Sequence, residues 1–374
     1  MPAPIKTAIL GTGIALNHLH WPLLGSLPDM FEVTTVMERK MAGVAKSVCG
    51  DKIDVVATLD EVLANKAVEL VVVTTSDKTH FDYCKRSLRA GKHVFSEKPL
   101  TYSSVESEEL EKLAREAGKI LGVFQCRRWD GDYLTVKRLI ESNTLGPICS
   151  YEVFYDFYRP ADVVLEGANN TTTEVHWKDD PAQNGGGIYA TGTHIIDQVW
   201  CLFGFPEKIL GRVWGVRGHG VDDCFDCYFM YPARPGSIVP LFVRATTNWI
   251  SPLDPQPKFV IKASKGGFVK HYEDDQWFAL DRGEVNSPSY GTEPETKWGT
   301  ATLVQPDGSF KNEKIPTERG DYRQVYRELA ESIWANDPSK NTVQVSVVIE
   351  VLKIIELSLR SAKENRWLIK GVDY

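Results

Sequence analysis

The chain has no apolar run approaching the ~18 residues that a membrane-spanning helix needs. Its first residues, Met1 to Thr7, carry no long apolar stretch, so no secretory leader is expected. No basic stripe stands out. Lys and Arg number 43 against 50 Asp and Glu, a formal net charge of −7. That balance argues against nucleic acid and anionic membrane as main partners. The seven cysteines (Cys49, Cys84, Cys126, Cys149, Cys201, Cys224 and Cys227) are odd in number and scattered, which disfavours a disulfide framework. Cys224-x-x-Cys227 has no second metal-binding pair, so no metal site is expected. Internal repeats and low-complexity tracts are also missing. What remains is an ordinary globular composition, 43% hydrophobic and 25% charged over 374 residues, enough for two or three domains. The expectation is a cytoplasmic protein that handles a small molecule.

The first third alternates short apolar runs with helical stretches. Ile5–Leu10, Val33–Met37, Leu70–Thr75, Lys92–Phe95 and Ile120–Phe124 read as buried strands. Helical periodicity lies between them, clearest at Ser104–Ala117. This alternation predicts βαβ units on a parallel sheet. After about residue 125 a helix (Tyr133–Ser142) leads into longer alternating runs. These are Ser150–Tyr158, Lys208–Val216, Phe225–Tyr231, Val239–Thr247 and Lys258–Ala263, separated by Gly-rich turns. They predict a largely antiparallel sheet. Asp274–Lys311 reads as loops with short strands. Helices over Tyr322–Trp334 and Val343–Ser361 close the chain. The expected division is 1–124 and 125–374.

Directly after the first strand comes Gly11-Thr12-Gly13-Ile14, leading into a helical stretch. Glycines there permit a tight turn and close approach of backbone N–H groups to a pyrophosphate. The third glycine of the usual fingerprint is Leu16 here. Glu38, at the end of the second strand, suits the ribose hydroxyls of NAD, whereas Arg39 and Lys40 beside it keep NADP open. The reading is a dinucleotide site with a slight lean to NAD.

The next stretch is more specific. Val71-Val72-Val73-Thr74-Thr75 runs into His80, then Gly91-Lys92-His93-Val94, then Ser96-Glu97-Lys98-Pro99-Leu100. Further on come Arg127-Arg128-Trp129-Asp130, Tyr158-Arg159-Pro160, Gly185-Gly186-Gly187 through Gly192-Thr193-His194-Ile195-Ile196-Asp197-Gln198, Val221-Asp222-Asp223 and Gly320-Asp321-Tyr322. Over about residues 5–370 the chain resembles the Gfo/Idh/MocA family, the glucose–fructose oxidoreductase and inositol dehydrogenase group, near its scyllo-inositol dehydrogenase branch. Cys126 stands where the family has Asn. The resemblance implies an α/β protein with an N-terminal Rossmann domain. The C-terminal α/β domain would carry a mixed, mostly antiparallel open-faced sheet, whose face commonly pairs with a second subunit. A homodimer or higher oligomer is therefore expected.

It also implies an NAD(P)-dependent dehydrogenase or reductase acting on a sugar, an inositol or a related polyhydroxy compound. Oxidising a secondary alcohol needs a hydride acceptor, a base for the hydroxyl proton and a cation for the developing alkoxide. By resemblance Lys98 and His194 share that proton work. Glu97 faces the cofactor's ribose or nicotinamide region, and Thr74, Thr75, His80 and Arg128 lie along the cofactor. Arg128 equally suits an interdomain salt bridge. Trp129, Tyr158, Trp177, Thr191 and Asp197 are candidate substrate contacts, with Asp197 as readily structural. His18 and His20 match the family's first helix, where a histidine packs near the cofactor. Four residues before His194 the active dehydrogenases usually carry Asp; this chain has Ala190. Three readings follow. Lys98 and His194 suffice, with or without Tyr158 or Tyr189 in the relay; another acid, such as Glu174 or Asp156, replaces it; or the protein is a dinucleotide-binding regulator. A tailoring reductase of secondary metabolism is also compatible.

Overall fold

The computed structural model describes residues 2–159, 180–181, 185–217, 220–234 and 237–374. The chain forms two compact units, each assembled from separate stretches of sequence.

The first unit comprises Met1–Asp130, Asp275–Gly291 and Gly320–Glu350. Its sheet holds β1 (Ile5–Leu10), β2 (Phe31–Met37), β3 (Asp54–Val56), β4 (Leu70–Val73), β5 (His93–Ser96) and β6 (Leu121–Val123). The order is β3-β2-β1-β4-β5-β6 and every pairing is parallel. This is the order of a Rossmann sheet, with the switch point between β1 and β4. The four residues of β4, Leu-Val-Val-Val, are wholly buried, as parallel strands covered on both faces must be. The helices are α1 (Trp21–Gly25), α2 (Val44–Cys49), α3 (Leu59–Ala64), α4 (His80–Arg89) and α5 (Ser104–Glu116). Thr58 and Glu61 form a capping box that starts α3.

The second unit comprises Gly131–Asp274, Thr292–Arg319 and Val351–Tyr374. It begins with α6 (Gly131–Glu141) and β7 (Ile148–Phe154), and α7 (Thr193–Phe203) follows. The remaining strands of its sheet are β8 (Lys208–Trp214), β9 (Cys224–Ala233), β10 (Pro240–Asn248), β11 (Pro257–Ala263), β12 (Gly266–His271), β13 (Gly299–Val304), β14 (Phe310–Ile315) and β15 (Leu368–Ile369). The order is β14-β13-β12-β11-β7-β10-β9-β8-β15. Only β7 and β10 run parallel; the other neighbours are antiparallel. Tyr151 on β7 packs edge-on against Phe203 of α7 at 5.1 Å, so α7 covers this face.

The two compact units do not follow one boundary along the chain: the first gathers stretches from both sides of the expected 1–124 and 125–374 division. Helices α8 (Gln276–Asp281) and α9 (Arg323–Ala335), far along the chain, lie in the first unit. The cause is burial. Val325, Tyr326, Leu329, Ala330 and Ile333 form one stripe of α9 and share a core with Ile9, Leu23, Phe95 and Phe124. The last helix, α10 (Val345–Glu364), is 20 residues long. No helix among the described residues is long and apolar enough to cross a membrane. The segment read as loops with short strands, Asp274–Lys311, holds α8, β13 and the first two residues of β14.

Candidate functional site

In the first unit the turn after β1 is shaped by Gly11, whose φ is +107°. A Cβ there would sit 3.2 Å from the Thr74 carbonyl oxygen and 3.2 Å from Thr75 Cγ2, so only glycine lets the two loops approach. Thr74 fixes that approach, because its Oγ1 donates to the Leu10 carbonyl at 2.9 Å. Gly13 faces open space and Ile14 is exposed, which leaves room for a ligand at the turn. Thr75 Oγ1 pairs with Thr79 Oγ1 at 2.6 Å. His80 is buried and staples two loops. Its Nδ1 lies 2.7 Å from the Pro99 carbonyl oxygen and its Nε2 3.1 Å from that of Thr75. This glycine turn at the carboxyl edge of the parallel sheet fits a dinucleotide pyrophosphate.

Glu38 stands directly after β2. It is 2% exposed, and its two carboxylate oxygens accept the backbone N–H groups of Val44 and Ala45, each at 3.0 Å. Burial works to raise its pKa, but these backbone bonds outweigh it and hold the carboxyl below its usual range. Glu38 thus ties down the first turn of α2. Arg39 and Lys40 beside it are exposed.

The strand β5 ends at the Glu97-Lys98-Pro99 turn, and the Lys98–Pro99 bond is cis. Lys98 is half-buried. Glu97 is buried and belongs to a chain of contacts. One oxygen accepts from the Lys98 backbone N–H at 3.1 Å, and the other lies 2.9 Å from His20 Nε2. A carboxylate only accepts, so Nε2 carries the proton. On the far side, the Tyr326 hydroxyl donates to His20 Nδ1 at 2.5 Å. Burial, then the nearby Glu97 and Cys126, push the Tyr326 hydroxyl well above its usual pKa, so it keeps its proton. Glu97 itself is opposed by burial, but the hydrogen bond from His20 and the nearby Lys98 hold it low. His20 lies at the end of a π-helical turn, Leu16–His20, with Phe95 and Phe124 against its ring. His18, two residues earlier, pairs with Asp281 and stacks on Trp277.

Arg128 is buried and donates through Nη1 to the Thr342 carbonyl at 2.9 Å. Trp129 packs on the first unit's core, and its carbonyl accepts from Gln276 Nε2.

In the second unit His194 opens α7, directly after a second π-helical turn, Ile188–Gly192. π turns recur at functional sites. This turn also alters the α-helical i, i+4 spacing assumed between Ala190 and His194. The approach to it is anchored by Asp222, which accepts from Ile188 N at 2.8 Å. Gly186 (φ +88°) must be glycine, because a Cβ would fall 1.6 Å from Asp222 Oδ1. The His194 ring meets the Tyr155 ring edge-on at 6.2 Å. Thr191 Oγ1 donates to the Gly187 carbonyl at 2.9 Å and lies 3.3 Å from Thr247 Oγ1, and Thr247 in turn donates to the Tyr155 carbonyl. Tyr155 and Thr247 lie at the carboxyl ends of the parallel pair β7 and β10. Asp156 accepts from Asn248 N at 2.8 Å, and burial pushes its carboxyl up to about 6.

Asp197 is buried one turn beyond His194, whereas the Tyr158 ring is 58% exposed. Tyr189 is buried, which raises its hydroxyl to about 12. Pro160, Glu174, His176, Trp177, Lys178 and His219 lie outside the described residues. Among the described residues no cluster of His, Cys, Asp or Glu is arranged to hold a metal ion.

A parallel sheet in Rossmann order, a glycine turn at its carboxyl edge and a mixed-sheet second unit define a two-domain dinucleotide-binding protein. Comparisons extend that class to a family. Residues 5–125 match the NAD-binding Rossmann fold of the Gfo/Idh/MocA oxidoreductase family, and residues 137–369 match its C-terminal alpha/beta domain. The chain belongs to this oxidoreductase family. It is 32% identical over 366 residues to scyllo-inositol 2-dehydrogenase (NADP(+)) IolW of Bacillus subtilis, covering 98% of this chain and 96% of the relative. An uncharacterized oxidoreductase of Schizosaccharomyces pombe is 34% identical, over 97% and 98% of the two chains. Among solved structures, oxidoreductase YvaA of Bacillus subtilis superposes with a TM-score of 0.87 at 31% identity, over 98% of both chains.

Proposed function

We propose that the protein is an NADP(H)-dependent oxidoreductase acting on a sugar, an inositol or a related polyhydroxy compound. The observation that carries this reading is the match, along 98% of the chain, to a relative named as an NADP(+)-dependent inositol dehydrogenase. When bound, the nicotinamide supplies or accepts the hydride. The pyrophosphate would rest on Gly11, Thr12, Gly13 and Ile14, with Thr74 and Thr75 holding the adjoining loop. The Glu38 carboxylate already accepts two backbone N–H groups of α2, and exposed Arg39 and Lys40 suit a 2′-phosphate. That geometry supports NADP over the sequence-based lean to NAD. Lys98 and His194 would hold and move the proton at the substrate oxygen, Lys98 also offsetting developing alkoxide charge. Glu97 acts through its bonds to His20 and the Lys98 backbone rather than through a cofactor ribose. Exposed Trp214, Phe242, Val269 and Phe310 on the second sheet support pairing of two copies through that face.

A second reading, a dinucleotide-binding regulator without turnover, is favoured by Ala190 alone. One experiment separates them. The protein is titrated with NADPH and NADH by fluorescence. The better cofactor is then assayed with inositols, aldoses and ketoses, with Lys98→Met as control. Turnover that vanishes in Lys98→Met supports the enzyme. Tight binding without turnover transfers the reading to the regulator. Failure to bind either nucleotide overturns both.

A further inference from the structure

Lys258 is 3% exposed, and among the described residues its ammonium has no hydrogen-bond partner. Two aromatic faces are its neighbours: the Tyr155 ring, 4.6 Å from Nζ to centroid, and the Phe259 ring at 5.8 Å. A buried cation without hydrogen bonds is costly, and a π face offsets only part of that cost. Three N–H donors await an acceptor.

The backbone explains how the side chain came to be there. In the β11–β12 ladder Pro257 pairs with His271 and Phe259 pairs with Lys270, so Lys258 is an extra residue on its strand. Such a bulge breaks the in-out alternation and re-aims a side chain, commonly beside a functional site. Here it turns a lysine onto the Tyr155 ring, which also meets His194 and Phe157. Asp156 adjoins Tyr155; its carboxylate is bonded to Asn248 N and interacts electrostatically with Lys258, but it makes no hydrogen bond to the ammonium.

We propose that Lys258 is a substrate-binding residue that anchors a carboxylate, so that the substrate is a polyhydroxy acid such as a uronate or an aldonate. This rests on the oxidoreductase reading above and names its substrate class. An ammonium is best matched by an anion. A carboxylate supplies the charge and two acceptor oxygens that the aromatic rings lack. The Tyr155 ring then separates the anchored end of the substrate from His194, where the reacting oxygen is handled.

The test uses the full chain with saturating NADP+. Binding is measured by calorimetry, and initial rates are recorded, for D-glucuronate, D-galacturonate and D-gluconate against D-glucose, D-galactose and D-glucitol. The wild type is expected to prefer an acid over its neutral counterpart by about 10- to 100-fold, the range of a charge-assisted hydrogen bond. Lys258→Met should erase that ratio while Lys258→Arg keeps most of it, and NADPH titration should be unchanged in both. Absence of an acid preference in the wild type overturns the proposal. So does a preference that survives Lys258→Met, or a Lys258→Met variant changed only in melting temperature. Failure of the oxidoreductase reading looks different: no rate with any compound, while acid binding still reports on Lys258.

Discussion

Tyr326→Phe isolates one link of the Tyr326–His20–Glu97 chain. Tyr326 is fully buried, and its ring packs against Phe31 at 5.4 Å and Phe95 at 5.1 Å between centroids. Phenylalanine fills the same space, so the packing is retained and only the 2.5 Å bond to His20 Nδ1 is deleted. The imidazole nitrogen is then left buried without a donor, which costs about 1–3 kcal/mol. At roughly 2–4 °C per kcal/mol for a domain of 150–250 residues, the melting temperature should fall by about 2–12 °C. The assay is calorimetric unfolding at pH 7, where Glu97 is ionised because its carboxyl is held low. A double-mutant cycle with Glu97→Gln adds a sharper test. Both groups meet the same imidazole, so their effects should be non-additive by about 0.5–3 kcal/mol. A melting temperature within about 1 °C of wild type, or strictly additive effects, would refute the linked chain.

Asp156→Asn should show a pH-dependent gain in stability. Burial raises the native carboxyl from its ordinary 3.8 to about 6, so the stabilising protonated form is present below 3.8 and is lost as the pH rises through about 6. The neutral amide keeps an acceptor for Asn248 N. Melting curves should therefore show the variant above wild type at pH 8 and level with it at pH 4; an equal difference at both would count against the burial argument. Gly186→Ala should destabilise the second unit by about 1–3 kcal/mol, because the added Cβ displaces Asp222 from Ile188 N. Urea unfolding measures this, and an unchanged midpoint would contradict the packing at that turn.

Much of the fold was legible in local pattern. The run Ile5–Leu10 coincides with β1, and Ser104–Ala117 differs from α5 by one residue at its end. Period and turn chemistry act over a few residues, so a single sequence shows them. The turn at Gly11 was legible for the same reason, since it needs only a strand, glycines and a helix in succession. The short β3 was missed, being three half-exposed residues with little apolar signal.

The sequence by itself determined the alternation of strands and helices, the phosphate turn and the Glu97-Lys98-Pro99 segment, because each is written in neighbouring residues. Tertiary structure alone decided which core claims α8 and α9, since their partners are 150 or more residues away in sequence and only burial selects them. It decided the fate of Glu38, which depends on where the backbone of α2 places two N–H groups. It decided that His20 bridges Tyr326 and Glu97, residues 306 and 77 positions away. Lys258 reads as a surface lysine at the edge of an alternating strand. Only the register of β11 against β12 turns it inward, and register is a property of two strands, not of one.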